Sequence, residues 1–283
     1  MENYINPLST YKITNETKDK NKKKEYWEIA IGLQRVDKLT PSNYLINLAK
    51  YNIDGKLSND GVKDALRTHY NTVDSKNAST KECDIVSQRI VELLEQNSFS
   101  FSPITLKSIH KFLFTDIFDE SLVGKFRTYN ITKNEPILNN DTVIYSNYIS
   151  INDLLEYDFN VEKEHKYSYP LKDKEILNLT KFTSSIWQVH PFGEGNTRTT
   201  AVFIELYLRS LGFNINNKPF QEHSLYFRNA LVRSNYSNVS KGIHPTFDYL
   251  VKFYSNILNS TDYNLNNEDL KIKENIQKAD ISL

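Results

Sequence analysis

Apolar residues recur every three or four positions along most of this chain, and short polar breaks separate the periodic stretches. That spacing places the apolar side chains on one face of an α-helix, so each stretch is typical of an amphipathic helix. Ser42 and Ser102 stand at two of the breaks, where a Ser side chain can cap the next helix. The pattern predicts helices over residues 26–34, 44–49, 58–70, 85–94, 102–113, 171–190, 196–211, 221–234 and 246–258.

Residues 125–150 show a different pattern. Phe126–Ile131 and Thr142–Tyr145 are β-prone runs, and the residues Asn139-Asn140-Asp141 between them favour a turn. The segment therefore predicts one small β-hairpin in a protein that is otherwise mainly α-helical.

The composition is that of an ordinary globular protein, with 39% hydrophobic and 25% charged residues in a chain of 283. That length allows one large domain or two small ones. Because 35 basic residues balance 35 acidic ones, the chain has no overall field that attracts nucleic acid, and we expect no such partner. Cys83 is the single cysteine, which excludes an internal disulfide and a cysteine-rich metal site.

The ends of the chain and its hydropathy bear on location. The first residues lack the basic start and apolar core of a signal peptide, and no apolar run approaches the ~20 residues of a membrane helix. We therefore expect a cytoplasmic protein that does not contact membranes, unless a signal-free route exports it. We interpret polar residues 1–24, with the charge run 18–24, as a flexible lead-in rather than a basic contact patch, and residues 259–283 as a polar tail.

Residues 193–197 have the features of an anion site at the start of a helix. Gly193 and Gly195 allow backbone conformations that other residues avoid. Gly195, Asn196 and Thr197 stand where the helix over 196–211 begins, so their N–H groups have no partner within that helix. Unpaired N–H groups at the positive end of a helix dipole attract phosphate and other anions.

Three flanking side chains add the groups that phosphate chemistry needs. Arg198 can pair with a phosphate through two parallel hydrogen bonds. Glu194 would repel a phosphate unless a cation such as Mg²⁺ lay between them. His190, as a neutral imidazole, can remove a proton from a nucleophile near pH 7. Residues 190–198 therefore predict a nucleotide phosphate site with its own general base.

The run His190-Pro191-Phe192-x-Glu194-Gly195-Asn196-x-Arg198 resembles the signature H-P-F-x-[D/E]-G-N-G-R-x-x-R of Fic-domain proteins. Residues 124–127 and the predicted hairpin after them are similar to the part of those proteins that forms a flap over the active site. The likeness extends over residues 80–258, and residues 25–75 resemble a helical extension that precedes the domain in some bacterial members. It implies the Fic fold, a helical bundle around a central motif-bearing helix pair with one small β-hairpin flap.

Fic-domain proteins usually transfer AMP from ATP to Ser, Thr or Tyr hydroxyls of target proteins, and the resemblance implies this activity here, with pyrophosphate released. On the matching positions, His190 is the base and Glu194 binds Mg²⁺ or Mn²⁺. Phe192 anchors the loop, and Arg198 holds a terminal phosphate. The implied nucleotide-binding positions of the loop are Gly193, Gly195, Asn196, Thr197 and Arg198.

The resemblance also implies positions for the target and for the adenine. The flap would clamp the main chain of the target by strand addition. Its candidate residues are Tyr129, Asn130, Ile131, Val143 and Ile144. Tyr226, Phe227 and Asn235 are candidates for holding the adenine, and ordinary helix packing is the alternative for these three.

The sequence departs from the family pattern at two positions. Thr197 replaces the second glycine of the signature, and Ala201 replaces its last arginine. Arg209 lies two turns further along the helix, roughly 12 Å away, and is not an obvious substitute. No Ser or Thr is followed four positions later by the glutamate that locks this arginine in many relatives; the nearest match, Thr80 to Asp84, ends in aspartate. We hypothesise that the usual glutamate-to-arginine lock does not operate here.

Two alternatives to AMP transfer remain at this point. A Fic fold can also serve a phosphotransferase or a transferase of another nucleotide, and Thr197 matches neither Gly nor the Lys that favours phosphorylation. The missing arginine at Ala201 also permits a catalytically weak, Fic-like binding module. The expected partners are ATP and a protein with a Ser, Thr or Tyr hydroxyl. Self-modification and homo-oligomers stay open.

Overall fold

The computed structural model describes residues 16–72, 78–96, 98–168 and 170–272. Within this part of the chain the protein is helical, and short 3-10 turns and extended segments connect the helices. The eleven described α-helices are α1 (Lys20–Gln34), α2 (Asn43–Ile53), α3 (Asn59–Thr72), α4 (Ala78–Leu94), α5 (Pro103–Phe114), α6 (Ile151–Lys163), α7 (Asp173–Val189), α8 (Asn196–Ser210), α9 (Lys218–Glu222), α10 (Ser224–Asn235) and α11 (Asp248–Leu258).

The predicted helix ends are confirmed where a cap is encoded locally. The hydroxyl of Ser42 accepts a hydrogen bond from the Leu45 N–H at 2.9 Å, and Ser102 does the same for Thr105 at 3.2 Å. These bonds satisfy first-turn N–H groups that have no partner within α2 and α5. Gly212, with φ of 81°, follows α8 in the left-handed conformation.

Helix α8 lies at the centre of the fold. Each residue from Asn196 to Leu208 is buried, so the helix is covered on all sides. Helices α1, α4, α5 and α7 all contact it. Phe203 and Tyr207 of α8 join Phe101 and Phe182 in an aromatic cluster, with ring centroids 4.4 to 6.1 Å apart along the contacting pairs Phe101–Phe203, Phe101–Tyr207 and Phe182–Tyr207. The motif loop that precedes α8 is therefore attached to the most buried element of the molecule.

The N-terminal helices α1 to α3 share this core. Helix α1 packs on α4, α8 and α9, and Trp27 and Leu33 of α1 belong to the same buried cluster as the side chains around α8. Burial of this much apolar surface between α1 and the rest of the chain stabilises their contact. Helix α1 is consequently packed directly against α8, whereas α2 packs on α1 and α3 packs on α4.

The predicted β-hairpin is wrong, because no described residue between 125 and 150 forms a strand. The turn is present, since Asn139 and Asn140 have φ of 54° and 65°. Beyond the turn, however, residues 126–131 and 142–145 form no backbone ladder with each other, and both runs bond to the motif-bearing end of α7. The N–H of Arg127 donates to the Pro191 carbonyl at 2.8 Å, and the Gln188 amide donates to the Ile144 carbonyl at 3.1 Å.

Three further differences concern segments of weak pattern. Helix α1 begins at Lys20, inside the expected lead-in, because Asp19 caps its first turn. Helix α6 is not predicted, since its buried apolar side chains, Ile151, Leu155 and Phe159, form a narrow stripe among polar residues. In the expected polar tail, Leu265, Leu270 and Ile272 are buried. Residues 1–15 and 273–283 lie outside the described part.

No helix in the described ranges is both long enough and apolar enough to span a bilayer.

Candidate active site

The loop between α7 and α8 reverses the chain through two left-handed residues. His190 ends α7 with φ of 47° and ψ of 59°, and Gly195 precedes α8 with φ of 72°. A Cβ atom at Gly195 would lie 2.5 Å from the Phe114 ring, so both the conformation and the space require glycine there. Gly195 has no side chain to cap α8, which leaves the first N–H groups of that helix available to a ligand.

The shape of the loop is fixed from inside by Asn196. Its side-chain oxygen accepts from the Phe192 N–H at 2.9 Å, and its amide donates to the Phe192 carbonyl at 2.8 Å. Phe192 is buried, and its ring stacks on His110 with centroids 3.9 Å apart. Phe192 therefore has the anchoring position expected for it, and the Asn196 side chain clamps the loop, which leaves only its backbone for an anion.

His110 of α5 is a loop-positioning residue that the sequence analysis missed. Its Nδ1 accepts from the Gly124 N–H at 3.0 Å, so the ring proton is on Nε2, which donates to the Glu194 carbonyl at 3.1 Å. Burial lowers the pKa of His110 to about 4, and the ring is therefore neutral at physiological pH. A histidine within the apolar stripe of a buried helix is the signal that could have found it.

Arg127 joins the segment over residues 125–150 to the end of α7. It is buried and donates only to backbone carbonyls: Nε to His190 at 2.8 Å, and the guanidinium ends to Val189, Tyr129 and Ser146. A guanidinium in the interior needs such acceptors, since an unpaired buried charge is costly. This one side chain ties both arms of the segment to His190 and Val189.

His190 has the protonation state that a general base requires. Its Nδ1 lies 3.1 Å from the Trp187 carbonyl, which can only accept, so Nδ1 carries the proton and Nε2 keeps a lone pair. No described residue hydrogen-bonds Nε2. The rings of Tyr145 and Trp187 pack against the imidazole, and this burial lowers the pKa of His190 to about 3. The imidazole is therefore neutral across the physiological range.

Thr197, the first departure from the signature, is bonded to the preceding helix. Its hydroxyl oxygen accepts a hydrogen bond from the indole N–H of Trp187 at 3.0 Å. The hydroxyl hydrogen stays available to a ligand, because a hydroxyl has one donor besides its acceptor sites. A glycine at this position would lose the link between the anion site and the helix end that carries His190.

Arg198 is held by acidic residues from outside the loop. Its Nε lies 2.8 Å from an Asp37 carboxylate oxygen, its far nitrogens contact Glu82 at 2.5 Å and Gln34 at 3.1 Å, and Phe114 covers its face. The Asp37 contact is an ion pair without an aligned N–H, since Nε has no hydrogen-bond partner in the described chain. The side chain is 2% exposed. In this arrangement a phosphate has to displace carboxylates to reach Arg198.

Glu82 comes from the run that most nearly matched the inhibitory motif, yet the residue in the matching position is Asp84. Asp84 is buried on another face of α4, where the Ser42 N–H and the Tyr70 hydroxyl donate to it at 2.9 and 2.7 Å. The carboxylates at Arg198 thus hold the first arginine of the signature, and Ala201 in place of the second arginine is fully buried.

Comparison with protein families supports the resemblance that the motif suggests. Residues 100–208 match the model of the Fic/DOC family. This segment of the chain is a Fic/DOC family domain. The match runs from just before α5 to near the end of α8, so it includes His110, Arg127 and the whole motif loop. The mainly helical architecture is that of the Fic fold. No curated protein sequence matches the chain.

The motif loop of the Fic domain opens on a cavity of only about 10 Å³, about the space of one water molecule. Asp37 and Lys133 line it together with His190, Glu194 and residues 195–197. A second cavity of about 440 Å³ adjoins it and shares Asp37, Lys133 and Arg228. Asp37, Lys133 and Arg228 therefore lie between the two cavities.

The adenine candidates of the sequence analysis are not brought to these cavities, and that assignment is corrected. Tyr226 and Phe227 are buried in the aromatic core, where both rings pack on Phe253. Asn235 is the last residue of α10, and its amide donates to the Ser184 hydroxyl at 2.9 Å and to the Leu231 carbonyl. The sequence alone could not separate a buried aromatic face from a ligand-binding one. Leu225, Arg228 and Asn229 of the same helix line the larger cavity instead.

The residues expected to form the flap of the Fic domain differ in exposure. Ile144 and Tyr129 are 78% and 46% exposed, whereas Val143 is buried. The Asn130 side chain accepts from the Tyr148 N–H at 3.0 Å, and Ile131 packs partly against the core. Tyr129 also crosses Gly193, since a Cβ there would lie 2.7 Å from its hydroxyl. Exposed side chains thus lie beside the motif loop, but the segment that carries them does not form the paired strands of a β-hairpin.

Glu194 is the exposed carboxylate of the motif loop. No cluster of three metal-binding side chains occurs in the described residues. Mg²⁺ needs only one or two protein carboxylates when phosphate oxygens complete its shell, so Glu194, at the uncapped N-terminus of α8, could hold such an ion.

Proposed function

We propose that this protein is an adenylyltransferase that moves AMP from ATP to a Ser, Thr or Tyr hydroxyl of a protein. The observation that carries the proposal is the neutral His190, whose unbonded Nε2 lies beside the uncapped N-terminus of α8. A base with a free lone pair and an anion site within one loop are the parts that nucleotidyl transfer to a hydroxyl requires.

In the proposed step, His190 Nε2 takes the proton of the target hydroxyl. The hydroxyl oxygen forms a bond to the α-phosphorus of ATP, and the bond from that phosphorus to the bridging oxygen breaks. Pyrophosphate leaves with the electron pair, and the product is a phosphodiester on the target. The N–H groups of α8 and the hydroxyl of Thr197 stabilise the negative charge that develops on phosphate oxygens. Mg²⁺ or Mn²⁺ held by Glu194 would neutralise part of this charge.

We infer that the nucleoside occupies the cavity of about 440 Å³ beside the loop. Its volume lies within the usual range for small-molecule sites. Val36, Ile137 and Leu225 supply apolar surface, and Asn134 and Asn229 supply amides that can recognise a base. Lys133 and Arg228, which line both cavities, lie where phosphates would pass from one to the other. For the phosphates to reach Arg198, Asp37 has to move away from it.

The competing function is phosphorylation, in which the γ-phosphate is transferred. It is motivated by Ala201, because the missing arginine removes a contact that fixes the far end of ATP. A binding module without catalysis is motivated by the same residue and by the ion pairs of Arg198. The intact base and the clamped loop favour the adenylyltransferase over both.

ATP labelled at the α- or the γ-phosphate separates the three functions. Purified protein is incubated with Mg²⁺ or Mn²⁺, alone and with lysate, and proteins are examined for label and for mass. Adenylyl transfer places the α-label and the mass of AMP on protein, and His190→Ala abolishes both. Transfer of γ-label alone would establish a phosphotransferase. Binding of ATP without either label on any protein would establish a binding module.

A further inference from the structure

A third cavity, also of about 440 Å³, lies between α3 and α4, away from the motif loop. It shares no lining residue with the cavities at the motif loop or beside it. On α4, the lining residues Lys81, Ile85 and Gln88 are spaced by four and three positions and so share one face. The volume is that of a small-molecule site between two helices.

The walls of this cavity are strongly basic. Lys63, Arg67, Lys81 and Arg89 line it, against the single carboxylate of Asp116. Arg67 has an exposed ion pair with Asp64 at 3.2 Å. Arg89 donates to the carbonyls of Leu113 and Thr115, which carry no charge. In the described chain, Lys63 and Lys81 have no ion-pair partner, and the carboxylates of Asp116 and Glu92 act on Arg89 from beyond ion-pair distance. Four cations and one carboxylate leave the lining with an excess of positive charge, which a bound anion would offset.

The cavity also contains a buried polar group without a partner. Gln88 is 3% exposed, and its amide nitrogen has no hydrogen-bond partner among the described residues. A buried N–H without an acceptor costs free energy, and a ligand acceptor would recover it. Leu66, Tyr70 and Ile85 give the same cavity an apolar floor. The lining therefore combines phosphate-binding cations, one amide donor and apolar surface.

We propose that this cavity binds a small phosphorylated metabolite with an apolar or aromatic part. Its phosphate pairs with Arg67, Lys81 and Arg89, whose side chains are the types that recognise phosphate. Its apolar part lies against Leu66 and Ile85, and a ligand oxygen or ring nitrogen accepts from Gln88. The volume favours a molecule of about the size of a mononucleotide over a folded partner. The proposal is independent of the reaction at the motif loop.

AMP is a suitable probe, and adenosine is the matched molecule without phosphate. Amide hydrogen exchange of the wild-type protein locates the site, and calorimetric titration measures the affinity. We expect AMP, but not adenosine, to protect residues 63–71 and 81–89 from exchange. Arg67→Gln with Lys81→Gln should weaken AMP binding at this site at least tenfold. The control, Lys24→Gln with Lys218→Gln, removes two exposed charges elsewhere and should leave it unchanged.

Gln88→Leu tests the site without changing its charge. It removes the unpartnered amide, so the free protein should melt at the same or a higher temperature while AMP binds more weakly. Absence of protection in both helices, or equal AMP affinity in the two double variants, would overturn the proposal. Protection confined to residues near 190–198 would likewise overturn it, because AMP would then occupy only the motif loop.

Discussion

The two ends of the motif loop are held in different ways. His190 and Asn196 are fixed by Trp187, Phe192 and Arg127, all of which lie within the segment that matches the Fic/DOC family. Arg198 is held by Gln34, Asp37 and Glu82, which precede that segment. His190 is thus positioned by the matched segment itself, whereas access to Arg198 depends on residues that precede that segment.

The largest effect is expected from His190→Ala, at the end of the loop that is fixed by Trp187, Phe192 and Arg127 (the fixed end). Removing the base should lower adenylyl transfer by about 10²- to 10⁴-fold, because no other described side chain at the loop has an equivalent lone pair. ATP binding, measured by calorimetry, should stay within a few-fold of wild type, since the anion site belongs to α8. Transfer that survives at more than a tenth of the wild-type rate would remove His190 from the proposed mechanism.

At the other end, Arg198→Gln should weaken ATP binding by roughly 10- to 150-fold, the value of one or two charge-assisted hydrogen bonds. The rate at saturating ATP should fall less than the affinity does. Arg209→Gln is the matched control, because Arg209 is an ion-paired arginine of the same helix that contacts Glu205 and not the loop. Equal ATP affinity in both variants would mean that Arg198 only joins Gln34, Asp37 and Glu82 to α8.

The sequence predicts an end of the motif loop well when the contacts that hold this end join residues close together in the chain. The caps Ser42 and Ser102 and the loop residues His190 to Arg198 act over a few positions, and their places follow from local pattern. Asp37 and Glu82 reach Arg198 across 161 and 116 residues, which no local pattern reveals.

The predicted hairpin and the predicted adenine-binding residues differ from the structure for a related reason. β-Prone residues 126–131 pair with the end of α7, and Tyr226 and Phe227 face the core; in both cases tertiary contacts outweigh local preference. His110 and Arg127 were missed because a polar residue within a buried helix or next to a β-prone run shows its role only through its partners.

The fixed end also predicts a dependence of stability on pH. The pKa of His110 is about 4 in the folded protein and near 6.5 in the unfolded chain, so the unfolded state binds the proton between these values. Stability should therefore be constant above pH 6.5 and fall as pH drops towards 4, by at most about 1.4 kcal/mol per pH unit for this residue. Urea unfolding at pH 7.5 and 5 should show a smaller loss for His110→Gln than for wild type. An equal loss in both would mean that other groups carry the acid sensitivity.

The smallest predicted effect tests whether the carboxylates of Asp37 and Glu82 compete with nucleotide for Arg198. In Asp37→Asn with Glu82→Gln, Arg198 keeps neutral hydrogen-bond acceptors but loses both charged partners, so a phosphate displaces them more easily. Because the two carboxylates are 29% and 20% exposed and partly screened, we expect ATP to bind about three- to tenfold more tightly. Asp54→Asn with Glu222→Gln removes two exposed carboxylates elsewhere and controls for net charge. If ATP binds the Asp37/Glu82 variant more weakly than this control, the carboxylates orient Arg198 for phosphate and do not compete with it, and both ends of the loop are then arranged for catalysis.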